Sequence, residues 1–306
     1  MNLPAVTVVI PTRDRPELLR EAVDSVLRQT YDGNIQTIVV HDGSGAVPDV
    51  EGSGAARRVE VIRNSRSEGL AGARNTGILA ADTPLVAFCD DDDAWLPNKL
   101  VKQVAALEAQ PRSVVISCGI RVRNAAAGTS TDRVTESPSV SFRQLLRDRY
   151  AELHSSTLLL RTQELRGRVG LVDESVPGSF GEDYDLLLRA ARIAPILVVQ
   201  EVLTEVRWHG ASFFFERWRM MLEALTWLLE RYPEFESEPV GFARVAGQVA
   251  VAAAASGERQ ESLRWAGRAF RHNPREPRVG LALAVASRLV TAEQVMAWLN
   301  ARGRGI

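Results

Sequence analysis

Three predominantly apolar runs, Val6–Ile10 (VTVVI), Ile35–Val40 (IQTIVV) and Leu85–Cys89 (LVAFC), constrain the fold of this chain most. A strand with one wet face alternates apolar and polar residues, whereas near-continuous runs belong to strands covered on both faces of a parallel sheet. Helical patterns lie between them. Leu18, Leu19, Ala22, Val23, Val26 and Leu27 recur at helical period behind Asp14 and Glu17, which have capping-box spacing. A short run, Val59–Ile62, predicts a further strand, and the Gly-rich segment 69-GLAGARNTGILAA-81 predicts the helix that feeds Leu85–Cys89. Strands alternating with helices in this way predict a three-layer α/β/α domain with a mostly parallel sheet.

Pro97 can open a helix carrying Leu100, Val101, Val104 and Leu107. Strand-like runs at Val114–Val122 and Ser156–Arg161 flank a polar stretch around 124–140, expected as an excursion or flexible loop. Two more, Ile196–Val199 and Val202–Val206, precede Arg207-Trp208-His209-Gly210. Beyond that the pattern is helical at 212–231, 240–256, 259–272, 277–289 and 291–302, broken by Gly257, Asn273-Pro274 and Pro277. The expected organisation is an α/β domain over 1–210 and an α-helical region over 211–306. The pair 242–256 and 259–272 resembles one tetratricopeptide-like hairpin. A single copy reads as a packing module, or as the surface through which a homo-oligomer would form.

Charge narrows the function classes. The 306 residues carry 37 Lys and Arg against 38 Asp and Glu, so no global field argues for nucleic acid. No basic segment followed by an apolar core opens the chain, and no apolar stretch reaches spanning length. The expectation is a cytoplasmic protein, with peripheral membrane association left open. Cys89 and Cys118 sit in apolar contexts, as small buried residues of a reducing compartment do.

In a doubly wound sheet, ligands bind beyond the carboxyl ends of the strands. Four clusters are expected there: Pro11-Thr12-Arg13, Asp42-Gly43-Ser44, the Arg74-Asn75 helix, and the run Asp90–Asp93 in 85-LVAFCDDDDAWLPNKL-100. Carboxylates clustered at the rim of an apolar core repel one another unless a cation neutralises them, and Mg²⁺ or Mn²⁺ bridging to a phosphate is the natural candidate. An aspartyl phosphatase would want Thr or Val where Ala94 stands. A nucleotidyltransferase would want a Gly-rich phosphate loop where the chain reads Pro-Thr-Arg-Asp-Arg-Pro. A second acidic site, 181-GEDYDLLLR-189, reads either as a helix cap through Glu182 and Asp183 or as a general base. His209, in 207-RWHGASFFF-215, reads as a structural histidine or as a group that meets metal or phosphate.

The ordered set VTVVIPTRDRPELL, IVVHDGSG, EGLAGARNTGI, VAFCDDDDAWLPNKL, GEDYDLLLR and RWHGAS, over roughly residues 5–212, resembles the family-two inverting glycosyltransferases of the nucleotide-diphospho-sugar transferase (GT-A) fold. The resemblance implies a metal-dependent hexosyltransferase moving a sugar from a nucleotide-diphospho-sugar, UDP-linked before GDP- or dTDP-linked, to an acceptor hydroxyl. It places Pro11, Thr12, Arg13 and Asp42 on the nucleotide and Arg74 and Asn75 along the donor. Asp90-Asp91-Asp92 matches the Asp-x-Asp motif, with Asp90 and Asp91 toward the ribose and Asp92 on the metal. Asp183 falls at the catalytic base, and His209 at a position that approaches metal or diphosphate. Asp93 has no implied ligand role and reads as structural. The chain departs from the pattern at His41, where an acid is usual, and at Arg13, where an aromatic is common. The acceptor, whether glycan, lipid carrier, protein or small natural product, is not specified. The alternatives are a nucleotidyltransferase acting on sugar phosphates and a non-catalytic nucleotide-sugar-binding protein.

Overall fold

The computed structural model describes residues 3–45, 49–50, 54–124, 128–208, 218–292 and 294–295. They form two compact units: Met1–Leu145, Arg149–Glu174 and Glu182–His209 in the first, and Leu146–Asp148, Ser175–Gly181 and Gly210–Ile306 in the second.

The first unit is built on one sheet. Its strands are β1 (Val6–Thr12), β2 (Ile35–His41), β3 (Arg57–Arg63), β4 (Leu85–Phe88), β5 (Ala94–Trp95), β6 (Val115–Asn124), β7 (Thr129–Arg133), β8 (Ser139–Val140), β9 (Leu159–Arg161) and β10 (Ile196–Trp208). The order is β3-β2-β1-β4-β9-β6-β10-β5, with β7 beside β6 and β8 beside β10. The long ladders β1–β2, β2–β3 and β6–β10 are parallel, as is β1–β4, and the short β9 runs antiparallel between β4 and β6. Helices α1 (Pro16–Leu27), α2 (Leu70–Ala80), α3 (Lys99–Glu108), α4 (Phe142–Arg147), α5 (Thr162–Arg166) and α6 (Glu182–Ile193) connect the strands.

The unbroken apolar runs are buried on both faces, as their pattern requires. All seven residues of β1 are buried. On one face Val8, Ile10, Val39 and Ala87 pack with Leu19, Val23 and Val26 of α1 and with Leu100, Val104 and Leu107 of α3. On the other, α2 presses so close that a Cβ on Gly77 would stand 2.4 Å from Val9 Cγ1 and 3.2 Å from Val40 Cγ2. Helices on both faces of a central sheet are the expected α/β/α layering.

Several local expectations are corrected. Asp14 makes no cap: Arg15 is the N-cap of α1 without a side-chain cap bond, and Asp14 has φ 54°. Pro16 supplies the first-turn geometry instead, since its ring presets φ and its missing N–H costs nothing there. Within the polar stretch Thr129–Arg133 forms β7, antiparallel to β6, and Gly128 before it has φ 63°. Ser155–Thr157 forms a 3₁₀ turn, which shortens the expected strand to Leu159–Arg161. The two final strands are one, β10, whose ladder with β6 shifts register between Val199 and Val202 and again between Val202 and Thr204, so that three extra residues are absorbed without ending the strand.

The second unit carries α7 (Trp218–Arg231), α8 (Pro239–Ala255), α9 (Arg259–His272) and α10 (Pro277–Ala286). Its Ala-rich helix α8 buries Ala243, Ala246, Val249 and Ala250, and Thr291 and Gln294 make a reciprocal capping box at 3.0 and 3.2 Å. Among the described residues no helix is long and apolar enough to cross a membrane.

Candidate functional site

The site lies beyond the carboxyl ends of β1, β2 and β4. The aspartate run is divided among different counterparts. Asp90 accepts from Arg74 Nη2 at 2.6 Å and Ser155 Oγ at 2.8 Å, while its own N–H donates to Ser156 Oγ at 2.9 Å. Asp91, fully buried, accepts from Thr12 Oγ1 at 2.7 Å and from Arg15 Nη2. Arg15 Nη1 reaches Asp92 at 2.9 Å, so one guanidinium spans two consecutive carboxylates. Asp93 accepts from Ser156 Oγ at 2.6 Å and from the Arg207 N–H at 3.3 Å. Like charges are tolerated here because each carboxylate meets a hydrogen-bond donor, Asp91 and Asp92 sharing Arg15.

These surroundings set the acids apart. Burial pushes the Asp91 carboxyl up to about 6, against the pull of Arg15 and Thr12. Burial also pushes Asp93 up to about 7 despite His154. Burial works the same way on Asp90, but Arg74, His154 and Ser155 outweigh it and hold that carboxyl below its ordinary value.

Arg74 joins this run to the second acidic motif. Fully buried on α2, it gives Nη2 to Asp90 and Nη1 to Glu182 at the start of α6. Burial raises Glu182 to about 7 against Arg74, with the neighbouring Asp183 adding to the rise. Asp183 behaves oppositely: burial opposes its charge, but Arg149, His154 and Arg74 prevail and hold it low. Arg149 Nη2 donates to both Asp183 oxygens at 3.0 and 3.1 Å, and the Tyr184 N–H adds a bond at 2.8 Å. Glu182 and Asp183 therefore open a helix and also enter the charged site.

The β2 end forms a third group. Asp42 accepts from Asn64 Nδ2 at 2.6 Å and from the Gly69 N–H at 2.8 Å, tying the turn to the start of α2. Neither ring nitrogen of the buried His41 meets a hydrogen-bond partner among the described residues. Pro11 and Thr12 are buried in β1, whereas Arg13 is exposed and pairs with Glu68. Asn75 is turned inward: its amide bonds Val172 O at 2.8 Å, Glu174 Oε1 at 2.6 Å and the Val172 N–H at 2.9 Å. The structure thus sorts these residues into three bonded groups: Asp91, bonded to Thr12, shares Arg15 with Asp92, Arg74 joins Asp90 to Glu182, and Asp183 meets Arg149, while Asn75 bonds Val172 and Glu174 instead. His209 lies outside the described residues.

Residues without a sequence signal complete the arrangement. Arg15, Arg149, His154, Ser155 and Ser156 approach the acids only through the fold. Asp90, Asp93 and His154 each offer a ligand atom within 4.8 Å of the others, a set that could hold a metal ion. Asp92 lies outside that set: its side chain, 22% exposed, faces Arg15 Nη1 at 2.9 Å.

Residues 7–157 match the model of the family described as Glycosyl transferase family 2. An uncharacterized glycosyltransferase of Rickettsia prowazekii is 29% identical over 216 residues, covering 68% of this chain and 65% of that protein. Across five such Rickettsia relatives, the chain spans between 30% and 65% of their length. Among solved structures, residues 1–349 of S. aureus TarS in complex with UDP-GlcNAc give a TM-score of 0.56 at 15% identity, covering 99% of this chain and 93% of that one. The mannosyltransferase PcManGT from Pyrobaculum calidifontis, in complex with GDP-Man and Mn²⁺, gives 0.55 at 18%, covering 93% and 86%. At these identities the likeness to the two structures is one of fold.

Proposed function

We propose that this chain, whose residues 7–157 match the glycosyl transferase family 2 model, transfers a sugar with inversion from a nucleotide-diphospho-sugar, UDP-linked, to an acceptor hydroxyl. The observation that carries this reading is the Arg74 bridge, which puts the acid run and the Glu182-Asp183 motif in one charged site. Support also comes from the two solved structures, whose ligands are both nucleotide-diphospho-sugars.

In this reading Pro11, Thr12, Arg13 and Asp42 face the nucleotide, Arg74 and Asn75 shape the donor side, and Asp90 and Asp91 lie toward the ribose. Asp92 would hold Mg²⁺ or Mn²⁺, and His209 would approach the metal or diphosphate. The bound cation would neutralise charge on the leaving diphosphate. Asp183 takes the proton from the attacking acceptor hydroxyl as that oxygen bonds the anomeric carbon from the side opposite the departing nucleotide. Its low-lying carboxyl stays ionised at neutral pH and is therefore ready to accept a proton. Positioning and electrostatics supply most of the rate.

Calorimetric titration with UDP, GDP and dTDP, each with and without Mn²⁺, tests the reading. Metal-assisted binding of UDP is the expected result, and equal binding without metal removes the role of Asp92. A screen of UDP-sugars scored by hydrolysis then identifies the sugar.

A further inference from the structure

The second unit has a charge pattern unlike the chain as a whole. Residues 259–288 hold seven arginines and two glutamates with no lysine or aspartate, a net of +5 in a protein of net charge −1. Most of this lies on and just after α9.

One face of α9 is spent on packing, through the buried Ser262, Trp265, Ala266 and Ala269. The opposite face is open. Leu263 and Phe270, seven residues apart and so nearly aligned two turns along the helix, are 45% and 52% exposed. Gly267 stands between them with nothing within 4 Å of the position its Cβ would take. Arg259, Arg264 and Arg271 are exposed on the same helix, and Arg275 is exposed just past its end. An apolar ridge flanked by arginines on an otherwise packed helix is the chemistry of an interfacial surface.

We infer that the outward face of α9 docks on an anionic lipid bilayer, Leu263 and Phe270 entering the headgroup layer while Arg259, Arg264, Arg271 and Arg275 meet its phosphates. Charge complementarity selects the anionic surface. The apolar ridge selects a bilayer over a nucleic acid, whose backbone would engage the arginines and leave Leu263 and Phe270 unused. The inference does not depend on which sugar or acceptor the first unit uses.

Co-sedimentation of the full chain with vesicles tests it. Binding is expected to phosphatidylcholine vesicles containing 30% phosphatidylglycerol (roughly the anionic content such a surface needs), to fall steeply with added salt, and to be absent with pure phosphatidylcholine. Each arginine near such a surface strengthens partitioning about fivefold, so Arg264→Gln with Arg271→Gln weakens it by about 25-fold. Phe270→Ser should weaken it and Gly267→Leu, which extends the ridge into open space, should strengthen it. Far-ultraviolet circular dichroism of each variant separates lost docking from lost folding. Equal binding to neutral vesicles, indifference to the arginine pair in folded protein, or binding of a single-stranded RNA oligomer in place of vesicles overturns the inference.

Discussion

The Arg149 guanidinium faces the Asp183 carboxylate through one nitrogen, Nη2, which is 3.0 Å from one oxygen and 3.1 Å from the other. The residue proposed to take a proton is thus held ionised by a neighbour that the linear sequence does not mark. The contact favours the charged form of that carboxylate and holds its orientation.

Its first consequence is a pair of kinetic expectations. Asp183→Asn keeps UDP binding and loses transfer by roughly 10²- to 10⁴-fold, the usual contribution of a positioned base. Arg149→Gln removes a cation that favours the charged form, so the Asp183 carboxyl rises. Because transfer needs the carboxylate, the acid limb of the kcat/KM profile moves to higher pH. An unmoved limb in an active variant shows that Arg149 does not set the base.

In the proposed site Arg15 and a divalent cation would compete for Asp92. Removing the guanidinium by Arg15→Gln should tighten Mn²⁺ binding to the nucleotide-free chain about fivefold, since a half-exposed ion pair is worth about 1 kcal/mol. Electron paramagnetic resonance of free Mn²⁺ reads this directly. Weaker binding would show that Arg15 supports the cation site rather than occupying it.

Arg74→Met leaves Asp90 and Glu182 without their buried cation, which costs about 3–5 kcal/mol by denaturant unfolding. Adding Glu182→Gln returns part of that loss, because the neutral amide needs no counter-charge. Additive losses in the double variant would mean that the two residues act independently.

Lys99 is fully buried, its ammonium 3.8 Å from the centre of the Trp95 ring and 2.7 Å from Gln103 Oε1. Burial lowers it from 10.5 to about 8. Between those values the unfolded chain holds a proton that the folded chain has released, so this group makes folding more favourable as pH rises from about 8 toward 10.5. The full interval corresponds to about 3 kcal/mol. Lys99→Met should lack that rise, which parallel urea titrations at pH 7.5 and 9.5 can detect.

Two glycines give opposite signs. Gly77→Ala drives a methyl into Val9 and should cost about 1–3 kcal/mol. Gly267→Ala meets nothing and improves helix propensity, a gain of about 0.5–1 kcal/mol. Thermal unfolding of the two variants checks both.

The layers of the first unit were legible because burial on two faces leaves runs such as Val6–Ile10, and because loop acids stand out where such a run ends at Asp90. What escaped were partnerships that only tertiary structure creates. Ser155 and Ser156 sit in an unremarkable stretch, yet they hold Asp90 and Asp93 from more than sixty residues away. His154 carries no motif, but the 3₁₀ turn that follows it brings its ring to 3.3 Å from Asp93. Asp14 shows the converse failure: its capping-box spacing was present, but Pro16 and a left-handed backbone at Asp14 took the chain another way.

The Ser156 hydroxyl bonds both the first and the last aspartate of the run, while its carbonyl accepts from Trp95 Nε1. Segments 85–95 and 154–157 therefore behave as one inheritable cassette although they are distant in the gene. A chimera that imports the acid run from a relative without the matching serine turn would receive an Asp90 and an Asp93 that lack the hydroxyls holding them. Recombination between relatives should succeed when both segments travel together and fail when a crossover separates them.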